Sequence, residues 1–254
     1  MKIMPRLVRR IVSRFRRITE SRVRNRKFYL PYIANKLGLE IGGPSDVFRR
    51  KQPLDIYKDV GGLDNCDFSR STVWAQQQEN YTFDPEKKPG NSIFCEGSEL
   101  VTVKDSTYDF VLSSHNLEHL ANPVKALKEW KRVIRPSGAL ILVLPYYKRT
   151  FDHRRVPTGV DHMLQDFERN VGEDDLTHLP EILEKHDLSM DPGVSSAEQF
   201  YKRSLENLSN RCLHHHVFDE KNSRELLQRT GFDVRSVDLT FPFHLCILAT
   251  PGAS

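Results

Sequence analysis

The stretch Tyr108-Asp-Phe-Val-Leu-Ser-Ser-His-Asn-Leu-Glu-His119, followed by Asn122-Pro123 and by Ala139-Leu-Ile-Leu-Val-Leu144, decides the fold. Tyr108 to Ser114 is an apolar run of strand length, the pattern of a strand buried on both faces. Asn122-Pro123 is a helix start. Val124, Leu127, Trp130, Val133 and Ile134 then share one helical face, which Pro136-Ser137-Gly138 closes. Ala139 to Leu144 reads as a central strand, stopped by Pro145. Upstream, Leu37 to Ile41 is a short apolar strand ending in the turn Gly42-Gly43-Pro44-Ser45. Downstream, Ser223 to Arg229 reads as a helix closed by Gly231, and Phe232 to Leu239 and Phe241 to Thr250 as strands. The last two are joined too closely for a crossover and should pair antiparallel. The expectation is an α/β fold: a doubly wound, mostly parallel, seven-stranded sheet with an antiparallel last strand.

Residues 146–218 interrupt this alternation with a stretch rich in charge, His and Pro. Connections in compact domains typically run to ~4–6 residues, so a longer one reads as a functional insertion. We expect a helical cap over the carboxyl edge of the sheet, where open α/β folds bind ligands. The organisation expected is an N-terminal arm over residues 1–30 and a domain over 31–254 carrying the cap at about 146–218.

Composition narrows the function classes. The 254 residues are 38% hydrophobic and 28% charged, neither a disordered polymer nor a membrane bundle. The longest charge-free apolar stretches, Gly138 to Tyr147 and Phe241 to Thr250, fall short of the ~20 residues of a spanning helix. Cys66, Cys95, Cys212 and Cys246 form no CxxC pair, which argues against a disulfide scaffold or zinc ribbon and suits a reducing, cytoplasmic compartment. The net charge of +4 is uneven, since residues 1–30 hold eleven Lys or Arg against Glu20 alone. The remaining 224 residues hold 27 basic and 33 acidic side chains, so the body is no nucleic-acid-binding surface. Within the arm, residues 5–19 read as a basic amphipathic helix. Leu7, Ile11, Phe15 and Ile18 fall on one side, and Arg6, Arg9, Arg10, Arg14 and Arg17 on the other. Three readings stand open: a peripheral contact with the inner face of an anionic membrane, a helix docked on its own domain, and a cleaved presequence.

The glycine turn after the first strand lets a ligand approach the backbone closely. Asp64, twenty-two residues beyond Gly42, stands where an acid caps ribose hydroxyls in nucleotide-binding folds. Pro44 and Val47 replace the second and third glycines of the dinucleotide fingerprint, which counts against NAD or FAD. With these residues, the 108–145 block resembles the core of class I S-adenosylmethionine-dependent methyltransferases, closest to the type 11 group. Phe151-Asp-His-Arg-Arg155, Asp161-His162 and Leu213-His-His-His-Val-Phe-Asp219 resemble a subset encoded beside polysaccharide-biosynthesis enzymes. The resemblance implies a methyltransferase using S-adenosylmethionine on a small-molecule or glycan acceptor. Glu40, Gly42 and Gly43 would receive the methionine part of the cofactor, and Asp64 the ribose. Glu96 and Gly97 would flank the adenine, while Ser114 and His115 would lie under the sulfonium. Pro44 and Asp46 depart from the family's E/D-x-G-x-G-x-G loop.

Methyl transfer to a hydroxyl needs a base, for which His153 and then His115 are the candidates. The cap histidines His153, His162, His214, His215 and His216 have three open readings: a polar network, an acid/base role, or a metal site with Asp152 or Asp161. Because no HxxxH or HExxH spacing occurs among the cap histidines, no metal ligand set is assigned. A scaffold that has lost its cofactor, and an RNA methyltransferase using the basic arm, are the competing functions.

Overall fold

A computed structural model describes residues 22–72 and 79–252. The strands are β1 (Leu37–Ile41), β2 (Gly62–Asp67), β3 (Asn80–Tyr81), β4 (Gly90–Phe94), β5 (Tyr108–Ser114), β6 (Ile134–Pro145), β7 (Phe232–Thr240) and β8 (His244–Pro251). They form one eight-stranded sheet in the order β3-β4-β2-β1-β5-β6-β8-β7. The β1, β2, β4, β5 and β6 pairings are parallel, whereas β8 runs antiparallel to both β6 and β7. Seven strands match the expected sheet. The eighth is the two-residue β3, antiparallel on the edge of β4.

Side chains alternate between two cores, as the period of two requires. Leu140, Leu142 and Leu144 of β6 and Leu245, Ile247 and Ala249 of β8 join the larger core. Ala139, Ile141 and Val143 of β6 and Cys246 and Leu248 of β8 join the other. The larger core is roofed by the helices α2 (Pro123–Val133), α3 (Val160–Glu168) and α7 (Glu220–Arg229), with Trp130 fully buried. Asn122 caps α2 by accepting from Lys125 N–H at 3.0 Å, with Pro123 at its first position. The helix stops at Val133, three residues before Pro136, because the approach to proline disfavours helical backbone and Ile134 is already extended. Gly138 then permits β6 to lie against β5, since a Cβ there would stand 2.3 Å from the Asp109 carbonyl oxygen.

The opposite face departs from the expected double layer. Among the described residues it is covered by the single-turn α1 (Leu30–Ile33), by 3-10 turns at Asp46–Phe48 and Tyr57–Asp59, and by the chain between them. Val23, Tyr29, Phe48, Tyr57 and Phe83 fill that layer with large side chains where a longer helix would otherwise lie. The proposed membrane helix at residues 5–19 lies outside the described residues.

Between β6 and α7 the chain is helical. Its first helix, α3, belongs to the main roof, with Val160 and Met163 in the larger core. Beyond it, α4 (Leu179–Lys185), α5 (Ala197–Leu205) and α6 (Asn207–Asn210) gather a small core of Leu179, Ile182, Phe200 and Leu213.

Candidate active site

The sheet order reverses between β1 and β5, and a crevice opens at the carboxyl ends of strands flanking such a switch point. A cavity of about 370 Å³ lies there. Its wall includes the loop Gly42 to Val47, Asp67 and Phe68 after β2, Glu96 and Gly97 after β4, Ser114 to Asn116 after β5, and His244 and Arg211. The volume falls within the range of small-molecule sites.

Gly42, Gly43, Glu96, Gly97, Ser114 and His115 of the expected set line the cavity; Glu40, Asp64 and His153 do not. Glu40 is fully buried beneath the loop. Its carboxylate accepts from Tyr57 O–H at 2.7 Å, Tyr81 O–H at 2.5 Å and Ser45 Oγ–H at 2.7 Å, and from Ser45 N–H at 3.1 Å. Burial pushes its pKa up against those hydrogen bonds. A Cβ on Gly43 would stand 2.4 Å from the Glu40 carboxyl carbon, so glycine lets the loop settle onto this brace. Glu40 therefore shapes the loop from below.

Asp64 is displaced by strand register. It pairs with Leu39, three residues before Gly42, and so sits within β2 rather than at its carboxyl end. Its carboxylate accepts from Asn91 N–H at 2.8 Å and from Tyr108 O–H at 3.0 Å. The acid at the strand end is Asp67, buried in the cavity wall beside Phe68. His153, exposed on the cap, has its Nε2 2.9 Å from Asp187 Oδ2, a carboxylate shared with Arg154 at 3.0 Å. Asp187 is thereby held well below the usual carboxylate range, with the His153 hydrogen bond the largest cause.

Glu96 lines the wall with its carboxylate engaged. It accepts from Arg211 Nη2 at 2.6 Å, and Arg211 Nη1 lies 3.0 Å from Glu173 Oε2. Arg211, in the left-handed region at φ 54°, also stands 5.1 Å above the Phe68 ring. The cap thus reaches the cavity through one guanidinium that clamps Glu96 and covers Phe68. Trp130 donates to the Gly97 carbonyl at 2.8 Å and fixes the adjoining turn from the core side.

At the end of β5, His115 takes φ 50°, a conformation that functional sites tend to hold. Its N–H donates to the Val143 carbonyl at 2.9 Å, which ties this turn to β6. Its Nε2 is 2.8 Å from His244 Nδ1, and its Nδ1 is 3.6 Å from Glu118 Oε1. Burial alone would raise the Glu118 pKa, but His115, His119 and His214 around it hold it below its ordinary value. The negative charge of Glu118 at 3.6 Å, too long for a hydrogen bond, favours the His115 proton on Nδ1 by electrostatics. His115 Nε2 then accepts from His244 Nδ1–H, which leaves the lone pair of His244 on Nε2. Burial, and next His115, push the His244 pKa down to about 3, so its ring is neutral at physiological pH.

The other cap motifs form a polar network. Arg155 is buried, donating to Asp152 Oδ1 at 3.1 Å and to the carbonyls of His214 at 2.7 Å and His215 at 3.1 Å. His214 Nδ1 meets Asp152 Oδ2 at 2.6 Å. Asp152 is therefore committed to this network, and Asp161 is exposed beside Arg229.

Residues 51–142 match the sequence model of the methyltransferase domain family, type 11. Over these residues the chain carries a methyltransferase domain. No curated protein matches the chain. Among solved structures, an S-adenosylmethionine-dependent methyltransferase from Mesorhizobium loti superposes with a TM-score of 0.51 at 13% identity, over 89% of this chain and 95% of that one. The PH0226 protein of Pyrococcus horikoshii superposes at 0.50 with 15% identity, over 98% and 92%. At such identities the likeness is one of fold. The cavity fits the cofactor on its own terms. Asn116 Oδ1 is a buried acceptor in its wall without a hydrogen-bond partner among the described residues. Gly42, at φ 74°, has no side chain and keeps the entrance low where a Cβ would meet Asn116 Nδ2 at 2.8 Å.

Asp67, Phe68, Asn116, Arg211 and His244 escaped the sequence reading. Asp67 ends a short polar strand that no hydrophobic pattern marks. Asn116 stood within the quoted stretch, next to His115, and Arg211 and His244 arrive from distant parts of the chain.

Proposed function

We propose that the protein transfers the methyl group of S-adenosylmethionine to a hydroxyl of a small-molecule or glycan acceptor. The Glu118–His115–His244 chain would take up the departing proton. The observation that carries this reading is the 2.8 Å contact between His115 Nε2 and His244 Nδ1 at the cavity wall. The bound cofactor supplies an electrophilic methyl on a sulfonium. Asp67 is suited to accept from ribose hydroxyls, Asn116 Oδ1 from the amino group, and Phe68 with Arg211 to cover the adenine.

A hydroxyl that attacks a methyl becomes a strongly acidic oxonium, so a neutral imidazole serves even when its own pKa is low. As His244 Nε2 gains that proton, its Nδ1–H is held by His115, whose own Nδ1–H faces the buried Glu118. An amine acceptor would need no such chain. Transfer of labelled methyl to a panel of nucleotide sugars and glycans tests the reading. His244→Ala and His115→Ala should each slow it by about 10²–10⁴-fold. Unchanged rates in both would remove the base.

The glycan acceptor also draws on the resemblance of residues 151–155 and 213–219 to the polysaccharide-associated subset. The basic arm adds a location. No helix among the described residues is long and apolar enough to cross a membrane. Five arginines at about 1 kcal/mol each near an anionic bilayer would hold residues 5–19 on its cytoplasmic surface. Co-sedimentation with anionic but not neutral vesicles, lost in a chain starting at Arg22, supports this. Retention of Val23 matters, because its side chain is buried and its N–H donates to the Pro53 carbonyl. Equal binding by the shortened chain would count against it.

A further inference from the structure

His162, Asp166, His178 and His216 bring one ring nitrogen or carboxylate oxygen each to within 4.8 Å of one another, at the junction of α3, the segment before α4 and residues 214–216. We propose that these four residues form a tetrahedral site for a divalent transition metal ion, zinc by its donor set, which pins the cap to the methyltransferase domain.

The spacing carries the argument. His162 Nε2 lies 3.1 Å from His178 Nε2 and 3.3 Å from Asp166 Oδ2, and Asp166 Oδ2 lies 3.7 Å from His216 Nε2. Zinc–nitrogen and zinc–oxygen bonds of ~2.0–2.2 Å at tetrahedral angles put ligand atoms about 3.3–3.5 Å apart. His162 and Asp166 stand one turn apart on α3, a helix fixed in the main core, whereas His178 and His216 come from outside it. Three imidazoles and one carboxylate suit zinc, which takes nitrogen and oxygen ligands in a closed tetrahedron.

Hydrogen bonding alone leaves this cluster unsatisfied. His162 Nε2 faces a second imidazole nitrogen and a carboxylate oxygen, and a single proton there serves only one of them. Asp166 Oδ2 is buried with no hydrogen-bond partner among the described residues. A cation satisfies all these lone pairs together. His216 Nε2 also lies 3.2 Å from the Ala121 carbonyl, a contact that an ion would replace. His162 is partly exposed and gives an ion its path in. The neighbouring group Glu118, His119 and His214 supplies three side chains rather than four.

The test uses the full chain, stripped by a chelator and titrated with Co²⁺. Saturation at one equivalent, with the intense visible bands of tetrahedral cobalt and their loss on adding Zn²⁺, is expected. Elemental analysis after dialysis against zinc should find about one ion per chain, falling at least tenfold in Asp166→Ala and in His178→Ala. S-adenosylhomocysteine affinity in these variants should stay within about threefold, since neither residue lines the cavity. A weak octahedral cobalt spectrum in the wild-type chain, or no retained zinc, overturns the proposal whether or not the variants fold. Full zinc retention in both variants overturns it equally.

Discussion

Replacing Glu40 by alanine separates a brace from a ligand. Four donors converge on this fully buried carboxylate, two of them tyrosine hydroxyls in the core. Removing the acceptor strands Tyr57 O–H and Tyr81 O–H, and a buried donor left unsatisfied costs about 1–3 kcal/mol. The Ser45 donors sit nearer the loop surface, where water replaces the lost partner. Relief of the burial penalty that raises the Glu40 pKa offsets part of the loss. The net expectation is a destabilisation of about 2–5 kcal/mol, a large share of the ~5–15 kcal/mol available to a domain. Glu40→Gln keeps one oxygen acceptor and should cost roughly 1–2 kcal/mol. Urea denaturation gives both values, and calorimetry with S-adenosylhomocysteine, on the fraction that remains folded, gives the affinity. A Glu40→Ala protein within 0.5 kcal/mol of wild type that has lost the ligand would refute the reasoning, because it would make Glu40 a direct contact.

Two further outcomes follow from the site and the cap. Asp67→Ala should weaken S-adenosylhomocysteine binding by about 1.5–3 kcal/mol, whereas Asp64→Ala should lower stability by about 1–2 kcal/mol and leave affinity within twofold; the reverse order of affinity losses in calorimetry would restore Asp64 as the ribose acid. Asp152, despite burial that would raise it, is brought down to about 2 by His214 and Arg155. Its contribution of about 2 kcal/mol is therefore complete above the unfolded carboxyl pKa near 3.9 and lost as pH falls through about 2. The stability gap between wild type and Asp152→Asn should narrow by that amount between pH 5 and pH 2, and a constant gap would contradict the depressed pKa.

The fold was legible where burial on both faces forces an unmixed apolar run. Ala139–Leu144 is of that kind and Phe110–Leu112 is the apolar centre of Tyr108–Ser114, while the helix between them shows an apolar face with a capped start. The strands Gly62–Asp67 and Gly90–Phe94 carry Asp, Asn and Ser, and their position rests on pairing with β1 rather than on any pattern of their own. That is why counting about twenty residues from Gly42 leads to Asp64, which lies inside β2, rather than to Asp67 at its end. The glycine loop and the end of β5 were legible because sheet order alone brings them together. The histidines were not, since side-chain meeting across the cap depends on tertiary packing. His153 turned to Asp187, whereas His178, which no motif marks, meets His162. His244 likewise reaches His115 only because β8 runs antiparallel beside β6.

The central claim is that the cavity between β1 and β5 holds the cofactor. Titration calorimetry of the wild-type chain and of Gly42→Val with S-adenosylhomocysteine tests it most directly. At Gly42 the backbone is left-handed and a Cβ would meet Asn116 at 2.8 Å, so the branched side chain both strains the loop and fills the entrance. The prediction is one site of micromolar affinity in the wild type and at least a hundredfold loss in a Gly42→Val protein that still unfolds cooperatively. Equal affinity in the two proteins would place the cofactor elsewhere and contradict the account.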